Sequence, residues 1–117
     1  MSEENDTVFG KIIRGELPAD KVYEDDHVLA FKDLNPAAPV HCLVIPKKHL
    51  VNVADAEEED AELLGRLLLA AKQVAEEQGL KEDGFRLVVN NGAGVGQTVF
   101  HLHVHVLGGR GFAWPPG

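Results

Sequence analysis

Three histidines, His101, His103 and His105, alternate with Leu102, Val104 and Val106 near the C-terminal end of the chain. Such strict alternation is a β-strand pattern, because successive side chains of a strand point to opposite faces of the sheet. The aliphatic residues would share one face and the histidines the other, each imidazole roughly 6.5–7 Å from the next. The chain has six histidines, so half of them stand in one row. A strand that had only to be buried would fill both faces with aliphatic residues. The histidine face is therefore where chemistry is expected.

Three chemistries compete for that row. As purely structural groups, three adjacent imidazoles are unfavourable: they repel when charged and are costly to desolvate. As metal ligands, His-x-His is a workable zinc pair, but the outer two of three same-face positions lie roughly 13 Å apart, wrong for one tetrahedral ion. His41 or His49 could complete such a pair, yet the sequence puts no Cys, Asp or Glu near these strands to help. As a nucleophile, a neutral imidazole with an ordinary pKa of about 6.5 attacks phosphorus at neutral pH, provided one ring nitrogen is held as a donor and the other is left free. Neighbouring histidines can then donate to phosphate oxygens or protonate a leaving group. Gly92, Gly94 and Gly96 punctuate the loop just upstream, and the amides of such a loop can come close to phosphate oxygens. The loop lacks the Gly-Lys-Ser/Thr of a Walker A motif and does not open a helix as a Rossmann fingerprint does. Joined directly to the histidine row, it favours phosphorus chemistry.

Positioning that row requires a sheet and something to cover it. Phe9, Ile12 and Ile13 recur at helical spacing, which predicts a short helix capped by Thr7 or Asp6 and ended by Gly15. Residues 21–24 and 27–32 read as a hairpin about Asp25 and Asp26, and residues 40–46 as a mostly buried strand after a proline-broken loop. Lys47, Lys48 and His49 follow in a basic turn. Asp55 with Glu58 reads as a capping box that opens a helix of about 23 residues, roughly 35 Å long. Leu63, Leu64, Leu67, Leu68, Ala71, Val74 and Ala75 would form its apolar stripe, and Gly79 with Leu80 a Schellman ending. Residues 84–90 read as a strand leading into the glycine loop. Five strands with one long and one short helix predict an α+β domain, the helices covering one face of a mostly antiparallel sheet. Leu102, Val104 and Val106 would face the helices, and the histidines the open side.

Composition narrows the classes. A chain of 117 residues suits a single domain, here residues 7–117 behind a loose tail at 1–6. The net charge of −8 argues against binding a nucleic-acid backbone. Cys42 is the single cysteine, so no intrachain disulfide forms; it reads as a small buried core residue in a reducing compartment. The start is acidic and polar, unlike a signal peptide, and no run approaches the roughly 18 apolar residues of a membrane span. The expectation is a soluble, cytoplasmic protein. Residues 112–117 form an apolar tail around Trp114 that must lie on its own domain or on a partner subunit.

The run from His101 to Leu107 fits His-φ-His-φ-His-φ-φ and resembles the signature of the histidine triad (HIT) superfamily. The chain is most similar to its nucleotide-binding branch, which hydrolyses purine nucleoside phosphoramidates. Residues 9–14, residues 43–49 and the Trp-Pro-Pro-Gly ending carry the resemblance with the triad, and it extends over residues 7–117. The resemblance implies a HIT-like fold in which two subunits form a continuous dimer, built on the long helix and the strand before the glycine loop. It implies that His103 is the nucleophile that becomes nucleotidylated, that His105 contacts phosphate and leaving group, and that His101 and His41 assist. Asp33 would bind the ribose hydroxyls, while Phe9, Ile12, Phe31 and Leu34 would form the base pocket. Asn90, Gly96, Gln97 and Thr98 would line the phosphate and leaving group. Thr98 stands where the branch often has serine, and Asn91 where an acidic residue is often seen. The implied substrate is an AMP or GMP derivative, with no metal, no cofactor, no nucleic acid and no membrane. Dinucleoside polyphosphate hydrolysis, or a nucleotide- or zinc-binding regulatory role with incidental catalysis, are the other readings.

Overall fold

The computed structural model describes residues 5–117, so residues 1–4 lie outside the described residues. Asn5, expected to belong to the loose tail, is instead packed at the start of the first helix. That helix, α1 (Val8–Ile13), begins because Thr7 Oγ1 accepts the otherwise orphaned Gly10 N–H at 3.0 Å. It ends at Arg14 and leaves through Gly15, whose φ of +78° suits a residue without Cβ.

Five strands follow in one sheet: β1 (Lys21–Glu24), β2 (Val28–Lys32), β3 (Val40–Pro46), β4 (Arg86–Val88) and β5 (Val104–Gly108). Their spatial order is β1-β2-β3-β5-β4, and every neighbouring pair is antiparallel. The expected five-stranded α+β architecture is present. Asp25 closes the β1–β2 hairpin, its Oδ1 taking the N–H of both His27 and Val28 at 2.8 Å.

The long helix, α2 (Ala61–Glu77), is shorter than expected at 17 residues. Asp55 and Glu58 do not box its start. Asn52 Oδ1 takes the Asp55 N–H to open one 3-10 turn, Val53–Asp55, and a second turn, Glu58–Asp60, intervenes before the helix. The carboxylate that reaches back is Asp60, whose Oδ2 accepts Glu57 N–H at 2.9 Å and whose Oδ1 accepts Lys48 Nζ at 2.6 Å. At the far end the Schellman pair forms as expected: Leu80 N–H bonds Ala75 O, and Gly79 N–H bonds Glu76 O. Leu67, Ala70, Ala71, Val74 and Ala75 are buried, whereas Leu68, expected in the stripe, is 54% exposed.

The two helices lie on opposite faces of the sheet, not on one. Val28, Ala30, Cys42, Val44, Leu102, Val104 and Val106 pack with α2. Leu29, Phe31, Leu43 and Ile45, the alternate residues of β2 and β3, pack with Phe9 and Ile12 of α1. Those central strands are apolar on both sides, so the second side also needs a cover, and α1 supplies it. Cys42 is buried with a free thiol, as expected.

The histidine row keeps its alternation but not its ladder. Leu102, Val104 and Val106 do face α2, yet β5 begins only at Val104. Upstream, the Leu102 N–H leaves the sheet for Leu50 O at 2.7 Å. The strand expected over 84–90 likewise shrinks to three residues. No helix among the described residues is long and apolar enough to cross a membrane.

Candidate active site

Each histidine can be assigned a tautomer from backbone groups that can only donate or only accept. His103 Nδ1 lies 2.7 Å from the carbonyl oxygen of His101. A carbonyl cannot donate, so Nδ1 carries the proton and Nε2 keeps its lone pair. Among the described residues no buried side-chain nitrogen or oxygen lacks a partner. The unpartnered Nε2 is therefore open to the cleft that His103 lines.

Ala37 N–H donates to His41 Nδ1 at 3.0 Å, which places the His41 proton on Nε2. That nitrogen lies 2.9 Å from His105 Nδ1 and 3.4 Å from Asp33 Oδ2. His105 Nδ1 accepts, so its own proton sits on Nε2. His101 is fully buried; its Nε2 donates to Pro46 O at 2.8 Å and its Nδ1 accepts from Asn5 Nδ2 at 2.8 Å. Burial drives all four histidines below the ordinary imidazole range. His101 and His105 fall to about 4, and His105 is lowered further by His103 and His41. His103 and His41 are also lowered by burial; the bond to His101 O and the Asp33 charge oppose this at His103, and Asp33 alone at His41. The row is neutral at pH 7.

A cleft of about 270 Å³ opens beside this row. Of the candidate site residues, Phe9, Ile12, Phe31, Asp33, Leu34, Thr98, His103 and His105 line it. The Phe9 ring meets Phe31 edge-on at 5.4 Å and His103 at 5.0 Å, giving flat apolar walls beside the reactive nitrogen. Asp33 stands at the mouth just beyond β2; its Oδ1 holds Asn35 N–H at 2.8 Å.

Five of the expected site residues do not line the cleft. His41 and His101 stand behind His105 and His103. Asn90 and Gly96 lie together, outside the cleft lining. Gln97 is a correction: it is buried, and its amide is spent inside the protein. Nε2 donates to Val51 O and Val99 O, and Oε1 accepts Gly92 N–H and Asn52 Nδ2. It staples the glycine loop rather than facing a ligand. Sequence reasoning missed Val99, Ala19 and Leu43 as cleft walls; for Leu43 the signal was the alternation of β3. Asn91 caps a neighbour, its Oδ1 accepting Ala54 N–H.

The carboxylate thought absent from these strands is present, because the end of β2 brings Asp33 to His41 and His105. One ligand-type atom from each lies within 4.8 Å of the others. The donor set does not fit a cation as it stands. Ala37 N–H occupies His41 Nδ1, so binding a metal at Nε2 would require the proton to move onto the nitrogen already facing that donor.

A family model described as HIT domain matches residues 14–112. A HIT-like protein of Synechocystis sp. is 66% identical over 112 residues, 96% of this chain and 97% of that protein. One from Synechococcus elongatus is 60% identical over 117 residues, the full length of both. Among solved structures, a HIT family hydrolase from Legionella pneumophila gives a TM-score of 0.93 at 50% identity, covering 96% of this chain and 100% of that one. A HIT family hydrolase from Clostridium thermocellum gives 0.90 at 52% identity, covering 92% and 94%.

Proposed function

Since the chain belongs to the HIT domain family, we propose that it hydrolyses purine nucleoside 5′-phosphoramidates to nucleoside monophosphate and amine through a nucleotidyl intermediate on His103. The observation that carries this reading is the 2.7 Å bond from His103 Nδ1–H to His101 O, which leaves Nε2 unshared beside an aromatic cleft. The proposal includes membership of the family's nucleotide-binding branch, which the resemblance of residues 9–14, residues 43–49 and the Trp-Pro-Pro-Gly ending supports.

In the first step the Nε2 lone pair forms a bond to the α-phosphorus and the phosphorus–nitrogen bond breaks. Its electron pair goes to the amine, which takes a proton through His105 Nε2. The anionic phosphate raises His105 out of its depressed range, so that His105 takes a second proton from solvent onto Nδ1 as the substrate binds, and the His41 Nε2–H turns to Asp33. Loss of the Nε2 proton to the amine then leaves His105 neutral. In the second step water attacks phosphorus, the bond to Nε2 breaks, and the proton from water returns to His105. The bond at Nδ1 steadies the positive charge that His103 acquires while phosphorylated. Phe9, Ile12, Phe31 and Leu34 hold the base, Asp33 accepts from the ribose hydroxyls, and Thr98 Oγ1 faces the leaving group. The proton held on His41 Nε2 argues against a resident metal. A reducing, cytoplasmic setting suits the free Cys42.

The same proposal includes a second copy of the chain. Trp114 is 82% exposed, and Leu68 on α2 with Phe85 and Val89 beside β4 are also exposed apolar groups. Packing of two copies through α2 and β4 would cover them.

The deciding experiment is single-turnover mixing with radiolabelled adenosine 5′-phosphoramidate, quenched and read by intact mass. One nucleoside monophosphate is expected on His103 without added metal, and His103→Asn should abolish both adduct and turnover while the protein still folds. Turnover retained in H103N would overturn the assignment.

A further inference from the structure

We propose that Asn5 is a positioning residue for the reacting histidine, acting through His101. The polarity of its amide is settled by neighbours. Thr7 N–H and Thr7 Oγ1 both lie against Asn5 Oδ1, at 3.2 and 2.6 Å. A backbone N–H can only donate, so the other end of the amide is the NH₂ group, and it points at His101 Nδ1 from 2.8 Å.

Asn5 is itself held by more than its amide. Arg14 Nη1 donates to its backbone oxygen at 2.7 Å. Gly10 of α1 makes room for it: a Cβ there would fall on the Asn5 side chain and carbonyl. His101 is thus pinned at both ring nitrogens, by Asn5 on one side and Pro46 O on the other, in a fully buried position. Phe9 meets its ring edge-on at 6.3 Å. Its carbonyl oxygen is the acceptor that fixes the His103 tautomer. A segment that composition marks as a loose acidic tail is in this way wired, through two hydrogen bonds and one residue, to the nucleophile.

The amide has a further consequence that a carboxylate would not share. An NH₂ group at Nδ1 can only donate, so it is compatible with neutral His101 and opposes the imidazolium. Among the described residues, the groups facing His101 are His49, stacked at 5.2 Å, and His103, with the Arg14 guanidinium beyond Asn5. None of these carries a negative charge. An imidazolium here would sit directly beside the nucleophile and lower its basicity.

The test compares wild type with Asn5→Asp and Asn5→Ala, using ¹⁵N-histidine NMR of the free protein and hydrolysis of adenosine 5′-phosphoramidate across about pH 5 to 8. In N5D the carboxylate accepts from Nδ1–H while Nε2–H still bonds Pro46 O. His101 should then show both ring nitrogens protonated near pH 7, where wild type shows Nε2 alone. Its kcat should fall about tenfold near pH 7 and recover as pH rises, with KM within about twofold. In N5A His101 should stay neutral and kcat fall less, about threefold. An unchanged His101 spectrum in N5D, or kcat within about twofold of wild type in both variants, would overturn the proposal. It rests on His103 being the nucleophile, and the two fail separately. An unreactive wild type removes the nucleophile and the kinetic consequence, while the ring protonation still decides the Asn5–His101 link. A reactive, His103-dependent wild type with N5D unchanged removes the role of Asn5 alone.

Discussion

What a histidine does depends on what is bonded to its other nitrogen. The three histidines of the row are chemically alike in sequence, and backbone groups make them different. His101 O leaves the His103 Nε2 lone pair free for the proposed attack, the Ala37 amide turns His41 into a donor, and His41 in turn leaves His105 with its proton on Nε2. The downward shift of His103 has a direct kinetic consequence. A nucleophile must be deprotonated, and a pKa below the ordinary 6.5 keeps it so at lower pH. The acid limb of kcat/KM for phosphoramidate hydrolysis should therefore lie below pH 6.5. A limb centred at or above that value would mean that another group controls the attack. Residue types alone could not rank them, because several of the partners are distant in sequence: Pro46 and Asn5 are 55 and 96 positions from His101, and His41 is 64 from His105.

Elements bring such partners together, and here α1 and the glycine loop matter most. α1 closes the sheet face opposite α2, and that placement makes Phe9 both a core residue and a wall against His103. The loop is held by the buried amide of Gln97. Gln97→Ala would strand the Gly92 N–H and the Val51 and Val99 carbonyls, and should cost about 2–3 kcal/mol in urea unfolding. KM for the phosphoramidate should rise with it, since Thr98 and Val99 of the cleft wall follow directly. A variant as stable as wild type would show that the loop is held by something other than this residue. The shortened α2 belongs at this scale too. Asp55 with Glu58 has the spacing of a capping box, but Asn52 and Val51 claim Asp55 locally and delay the helix to Ala61.

At the scale of the molecule, neutral buried histidines link stability to pH. In the unfolded chain His101 and His105 titrate near 6.5, whereas in the folded one they do so at about 4. Below pH 6.5 the unfolded chain takes up protons that the folded chain refuses. Their stabilisation is complete above that pH and is lost as pH falls toward 4, by up to about 1.4 kcal/mol per pH unit for each. Urea midpoints measured near pH 7 and pH 5 should differ accordingly; equal midpoints would mean that these rings protonate freely in the fold. The proposed self-association is tested on the same sample. Sedimentation should give about twice the mass of one chain, and Leu68→Glu should return it to the monomer. A monomeric wild type would leave Trp114 without the cover proposed for it.

Periodicity was enough for much of this protein. Alternation placed Leu102, Val104 and Val106 toward a helix and the histidines away from it, because a strand has only two faces. The residues of β3 and the Schellman ending of α2 were equally legible, since both are written in local runs. Contacts between distant segments were not. The sequence could not show that Asp33 meets His41, that Gln97 is consumed within its own loop, or that Asn5 reaches His101. Hydrogen bonds between segments depend on where the backbone places two groups in space, and neither the spacing nor the types of the residues encode that position.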